Sequence, residues 1–317
     1  MCWKAQAELL KEEIEAVLVS LPDVAGLRDL ARDPLVENRR GLSPRASCDR
    51  PWPLLPLLVC QSISGRYEYA LPAAAALQFL IAACDVFDDV EDADSPDSLS
   101  EKCGRAVATN VATALLFLGE RAIARLDRWG VEANVIVCIT DVINSFYVTA
   151  CGGQHLDLYA ASETPISEQT YLQTISMKSA SQIECAFRIG ALLANANPPL
   201  IDTFATLGQN LGIAAQITND IQGALYGSDI MRRKITLPIV YAFSQAEGEV
   251  RSELESAFCA QSRSDIDSGQ IRDLLFHIGA IHYSTIKMQF YRQLAIDSIH
   301  KVENLGVKVE WIKQFLE

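Results

Sequence analysis

The chain has 317 residues, with 27 Lys plus Arg against 40 Asp plus Glu, a net charge of −13, and half of its residues hydrophobic. That apolar share is ample for a buried core and excludes a disordered chain. A nucleic-acid partner would need a clustered basic footprint to displace counterions from the phosphate backbone, and the acidic balance excludes it. Nine cysteines, at positions 2, 48, 60, 84, 103, 138, 151, 185 and 259, form no CxxC pair and no metal-finger spacing. They read as reduced residues of a cytoplasmic protein.

The amino-terminal stretch MCWKAQAELLKEEIEAVL has acids where a signal peptide needs an apolar core, and its spacing predicts an amphipathic helix over 3–20. The segment 32–52 is interrupted by proline and mixed in charge, which reads as a loop or a lid. Beyond it, apolar residues recur at helical spacing and predict helices over 54–64, 72–91, 98–127, 131–159, 167–195, 200–226, 234–246 and 278–303. Those at 72–91 and 200–226 are apolar nearly all round, which places them in the middle of a bundle. The run from Tyr69 to Phe87 opens near Pro72 and ends in carboxylates, so a buried helix explains it better than a membrane span. No stretch alternates apolar and polar residues as a half-buried strand would, and no Asn-Gly or Asp-Gly turn marks a hairpin. The predicted fold class is all-α, with one helical domain over 1–317.

Two constellations carry the chemistry. Between Asp85 and Lys102 stand eight acids and one base. On a helix, Asp88 and Asp92 share one face at i and i+4, with Asp89 beside them. They close an apolar helix at its carboxyl end, where the dipole is already negative and more carboxylates are unfavourable. Hard oxygen ligands of this kind suit Mg²⁺, which takes one or two carboxylates, waters and substrate phosphates; a solvated acidic helix end is the plainer alternative. In LGQNLGIAAQITNDIQGALYGSDIMRRKITLP, Gln216, Asn219 and Asp220 fall on successive turns of a second apolar helix, followed by Arg232, Arg233 and Lys234. Such groups need partners when buried, supplied by a metal or by a core hydrogen-bond cluster. His155 reads as a structural histidine, because the four histidines show no HExxH or triad spacing.

Together, and in this order over roughly residues 50–245, the motifs resemble the trans-isoprenyl diphosphate synthase (polyprenyl synthetase) family. The family's fold is an α-helical bundle with two aspartate-rich motifs across a central cavity. FDDVED matches its first motif, with Asp88, Asp89 and Asp92 in place. QITNDIQG stands where the second motif has Q-x-x-D-D-x-x-D, so Gln216 and Asp220 match, whereas Asn219 and Gly223 replace its first and last acids. Lys178 matches the lysine of K-T-A, Lys234 that of G-K-x-T-L-P, and Gln154 in GGQHLDL the glutamine of G-Q-x-x-D. The basic residues that hold isopentenyl diphosphate in chain-elongating members are missing: Arg50 survives, but no lysine accompanies it, and no arginine pair follows Asp92. This pattern is similar to the ComQ-type branch, isoprenyltransferases that modify a tryptophan of a peptide.

The resemblance implies ionisation of an allylic prenyl diphosphate. More than one Mg²⁺ would be held by Asp88 and Asp92 on one wall and by Asp220 with Asn219 on the other. Lys178, Lys234, Gln154, Gln216 and Arg50 would contact the diphosphate. In this family a bulky residue four or five places before the first aspartate stops chain growth; Cys84 and Ala83 are small, and with Phe87 they would border the prenyl tail. The implied acceptor is a peptide or small molecule other than isopentenyl diphosphate, and the implied assembly is a homodimer. A class I terpene cyclase, an ordinary chain-elongating synthase and a non-catalytic partner subunit are the alternative readings.

Overall fold

A computed structural model of the chain describes residues 3–36, 52–92, 97–160, 166–258 and 267–316, and among them there is no strand. The helices are, in order, α1 (Trp3–Leu18), α2 (Leu27–Val36), α3 (Leu55–Ser64), α4 (Leu71–Asp92), α5 (Leu99–Cys103), α6 (Arg105–Ala124), α7 (Ala133–Ala160) and α8 (Glu168–Ile175). They continue with α9 (Ser181–Leu193), α10 (Pro198–Tyr226), α11 (Ser228–Met231), α12 (Leu237–Gln245), α13 (Gly248–Phe258), α14 (Ser268–His277), α15 (Ala280–Asn304) and α16 (Glu310–Leu316).

Most boundaries follow the sequence signals. Pro72 sits in the first turn of α4 and Pro198 and Pro199 open α10, where a missing N–H is harmless. Two predicted helices are divided. The one expected over 98–127 breaks at Gly104, whose φ of 83° is easy only for glycine; Ser98 caps the short α5 by accepting the Glu101 N–H. The one expected over 167–195 contains a π-helical turn at Ser176–Ala180. α2, α11, α13, α14 and α16 lie outside the predicted spans. α2 replaces the start of the expected 32–52 loop, and residues 37–51 lie outside the described ones.

The chain forms two compact units, Met1–Phe146 with Gln182–Gly208 and Asp297–Glu317, and Tyr147–Ser181 with Gln209–Ile296. In the first, α4 is the central element, packed on α1, α2, α3 and α6. Fourteen of its residues are buried, from Leu71 through Val86 to Asp88, and its own Leu77 and Phe79, with Leu115 of α6, are among the largest fully buried side chains. Each such side chain contributes about 1.5–3 kcal/mol when removed from water. The second unit has two apolar clusters. One joins Ile230, Ile239, Phe243, Leu254 and Leu275; the other joins Tyr171, Ile175, Ile213, Ile217 and Leu237. Glu168 ties α8 to α15, accepting from Tyr283 Oη at 2.5 Å and pairing with Lys287 at 2.7 Å.

Three helices, Glu68–Asp92, Arg105–Trp129 and Ala133–Tyr159, are long and apolar enough to cross a membrane by length and composition. The apolar window of the first is 78% buried inside the protein, which agrees with a buried helix for the run from Tyr69 to Phe87. That of the third is 17% buried.

Candidate active site

The first acidic constellation forms as the sequence spacing requires. α4 runs unbroken through Asp92 and brings Asp88, Asp89 and Asp92 to its carboxyl end. Asp88 is 5% exposed, while Asp89 and Asp92 are half-buried. Arg105 donates to the Val90 carbonyl at 2.9 Å, so the first arginine after the motif caps the end of the same helix. Upstream, Ala83 is fully buried, whereas Cys84 and Phe87 are partly exposed.

The second constellation lies in the other unit, where residues from α7, α8, the π-turn, α10 and the start of α12 meet. Asp220 is 3% exposed, and protein donors approach both of its oxygens. Tyr171 Oη donates to Oδ2 at 2.6 Å, the Leu237 N–H donates to Oδ2 at 3.2 Å, and Gln216 Nε2 donates to Oδ1 at 2.9 Å. Ser179 Oγ in turn donates to Gln216 Oε1 at 2.9 Å. Burial pushes the Asp220 carboxyl up to about 6, against the opposing pull of these donors. The Tyr171 hydroxyl is pushed well up by burial and by the neighbouring Asp220. The core hydrogen-bond cluster weighed for this segment is therefore present, and Asp220 is its centre.

Lys178 reaches the same neighbourhood by an unusual backbone route. It sits in the π-turn, a rare feature that is frequent at functional sites. Glycines let the neighbouring helices come close. A β-carbon at Gly153 of α7 would overlap the Lys178 backbone nitrogen, and one at Gly212 of α10 would stand 2.6 Å from Ala180 Cα. The Lys178 ammonium pairs with Asp157 Oδ2 at 2.5 Å, both side chains remaining partly accessible. Gln154, one turn before Asp157, is half-buried and His155 is exposed. A packed structural histidine, as read from the sequence, is not what α7 presents there. Asn219 and Lys234 are half-buried, the latter with its N–H donated to the Asp229 carbonyl at 2.9 Å. Arg50 lies outside the described residues.

Tyr171, Ser179 and Asp157 are the members that sequence reasoning missed. Asp157 had a signal, as the aspartate of the G-Q-x-x-D pattern around Gln154. Tyr171 had none, because a tyrosine at helical spacing among Ile and Leu reads as core.

Among the described residues no three His, Cys, Asp or Glu side chains are grouped as a ready-made metal cage. The donor chemistry still fits Mg²⁺, which is held by one or two carboxylates together with substrate phosphates and waters rather than by an all-protein cage. Asp88, Asp89 and Asp92 provide that on α4. On α10 the half-buried Asn219 fits better than Asp220, whose oxygens already accept from protein donors.

The sequence profile of the polyprenyl synthetase family matches residues 50–275. The tryptophan prenyltransferase ComQ of Bacillus spizizenii is 27% identical over 78% of this chain and 86% of its own length. The geranylfarnesyl diphosphate synthase of Aeropyrum pernix is 25% identical over 81% and 85%. Among solved structures, the Caulobacter crescentus polyprenyl synthase in complex with calcium and isoprenyl diphosphate superposes with a TM-score of 0.82 at 19% identity, covering 99% of this chain and 94% of that one. At that identity the likeness establishes the fold.

Proposed function

Because the chain belongs to the polyprenyl synthetase family, we propose that it is a Mg²⁺-dependent prenyltransferase that ionises an allylic prenyl diphosphate and passes the prenyl group to an acceptor other than isopentenyl diphosphate. Bound Mg²⁺ neutralises the leaving diphosphate. In this reading Asp88, Asp89 and Asp92 hold the metal from α4 and Asn219 does so from α10. Asp220 acts through others: it fixes Gln216, Tyr171 and the start of α12. Lys178, steadied by Asp157, and Lys234 bind diphosphate oxygens with Gln154 and Gln216, and Cys84 and Phe87 border the tail. Fixed cations and amides aimed at the leaving group stabilise charge as it develops, without reorganisation at the moment of bond breaking.

The observation that carries the acceptor reading is the use of Arg105. A second polyanion beside the first needs several bases to offset their repulsion. After Asp92 the chain offers Lys102 and Arg105; Lys102 pairs with Asp33 at 2.7 Å and Arg105 caps α4. The relatives act on different acceptors, so identity alone does not choose between them. Purified protein with Mg²⁺ and geranyl, farnesyl or geranylgeranyl diphosphate, with and without isopentenyl diphosphate, tests the proposal. Retention of the starting chain length is expected; efficient elongation would restore an ordinary synthase. A cyclic hydrocarbon would favour the terpene cyclase alternative.

We place the enzyme in the cytoplasm as a homodimer. The free thiols of Cys60, Cys103, Cys138, Cys151 and Cys185 support a reducing compartment, and uncovered apolar surface on α6 and α7 supports a second copy.

A further inference from the structure

The turn between α1 and α2 and the facing side of α6 border two hollows in the first unit, of about 340 and 200 Å³. Leu21, Pro22, Leu27, Phe117 and Leu118 line the larger one, which falls in the size class of small-molecule sites. Arg121, Arg125 and Arg128 line the smaller. The two share Ser20 and Arg121, so an apolar groove leads directly into a cluster of guanidinium groups. No Asp or Glu lines either hollow, although the chain carries 40 of them. A base at the end of a helix is ordinary, because it answers the helix dipole; three around one hollow in a chain of net charge −13 are not. Ser20 Oγ donates to the Val17 carbonyl at 2.6 Å, which leaves its oxygen to accept from Arg121 Nε at 3.0 Å and so to aim that guanidinium. Arg125 is fixed by the buried Glu13 carboxylate at 2.5 Å, while Arg128 is exposed and pairs with no acid among the described residues. The turn that forms the other wall is stiff. Ala25 holds a left-handed φ of 49°, uncommon for a residue with a side chain, and Arg28 clasps the turn by donating to the Leu21 carbonyl at 2.7 Å. Strained backbone of this kind clusters at ligand clamps.

We propose that this groove is a second, metal-free site for a prenyl diphosphate, with the tail against Leu21, Leu27 and Phe117 and the diphosphate on Arg121 and Arg128. The choice of occupant rests on the function proposed above, which makes prenyl diphosphates the amphiphilic anions this chain handles. A head with several negative charges suits several guanidinium groups, which bind phosphate oxygens in pairs, and an apolar tail suits the groove. A free phosphate or a neutral isoprenoid would use only half of the site. None of the residues assigned to ionisation lies here, and no carboxylate lines the hollows to hold Mg²⁺, so binding here does not require the metal.

The test is equilibrium dialysis of labelled farnesyl diphosphate, in EDTA and in excess Mg²⁺, against wild type, Arg121→Glu/Arg128→Glu and Asp88→Ala, each also melted without ligand. In EDTA the wild type is expected to bind a single molecule per chain, more weakly as salt is raised. Arg121→Glu/Arg128→Glu is expected to weaken that binding about tenfold or more while keeping its melting temperature, its Mg²⁺-dependent binding and its turnover; Asp88→Ala is expected to do the reverse. Arg121→Gln/Arg128→Gln serves where the Glu pair melts early. Farnesol and inorganic pyrophosphate, each offering half of the ligand, are expected to compete poorly. Metal-free binding that is absent from the wild type, unchanged in the arginine variants or matched by dodecanoate would overturn the proposal. So would arginine variants that pass from dimer to monomer while the wild type binds nothing in EDTA, since a second copy would then fill the groove. Mg²⁺-dependent binding without metal-free binding would overturn the groove alone. Metal-free binding with neither Mg²⁺-dependent binding nor turnover would overturn the catalytic reading and leave the groove standing.

Discussion

The proton on Asp220 is held more tightly in the folded protein than in the unfolded chain, since burial lifts its pKa from 3.8 to about 6. Its contribution to stability is therefore greatest below about pH 4 and is lost as pH rises to about 6, a change on the order of 3 kcal/mol. Tyr171→Phe removes a donor that offsets the cost of the charged form. Without divalent metal it should lower stability by about 1–3 kcal/mol above that window and by less below it, as urea denaturation at the two pH values would show. An equal deficit on both sides would mean that the tyrosine matters only for packing. Asp88→Ala makes a separate prediction: turnover should fall on the order of 100-fold with the helical circular dichroism unchanged. Full turnover of wild type in EDTA would end the metal assignment. At this scale the sequence discloses the residues that are out of place, such as Asp88, Gln216, Asp220 and Lys178 among apolar neighbours. It does not disclose their partners, because Tyr171 and Asp220 are 49 residues apart and meet only through helix packing.

Apolar periodicity locates the long helices because burial repeats every turn, and α4 and α10 appear within a few residues of their predicted ends. Periodicity does not detect the π-turn at Ser176–Ala180, whose single extra residue shifts the register without breaking the pattern. What pins that turn is close approach, and Gly153→Ala tests it. The added methyl would overlap the Lys178 backbone, so α7 and the turn must separate. Melting temperature and turnover should both drop, whereas unchanged kinetics would show that the backbone position of Lys178 is unimportant. The tail end of α4 makes a second prediction at this scale. Ala83 is fully buried, so a large residue there would overpack the core at about 1–3 kcal/mol. Cys84 is partly exposed, and Cys84→Phe should shift preference toward shorter allylic diphosphates. An unaltered chain-length profile would show that the prenyl tail does not pass this turn.

The whole chain repels copies of itself through a net charge of −13, yet parts of two helices present surface almost without charge. On α6, Val107 is 41% and Phe117 66% exposed; on α7, Val137 is 68% and Val148 73% exposed, with Cys138 and Cys151 exposed beside them. The sequence shows that these helices are apolar, but not which face stays uncovered, since that depends on what the rest of the chain covers. A bilayer is a poor occupant. The exposed stripe of α7 also carries Asp141, Asn144, Ser145 and His155, which are costly in hydrocarbon, and an acidic protein is not drawn to anionic lipid. A second copy suits the mixture better, because interfaces between subunits combine apolar centres with neutral polar groups. The wild type is expected to sediment as a dimer and not to float with anionic liposomes. Val137→Asp combined with Val148→Asp should give a folded monomer, since it sets like charges on the shared face where none can be solvated. A monomeric wild type, or a double variant that still dimerises, would place the subunit contact elsewhere.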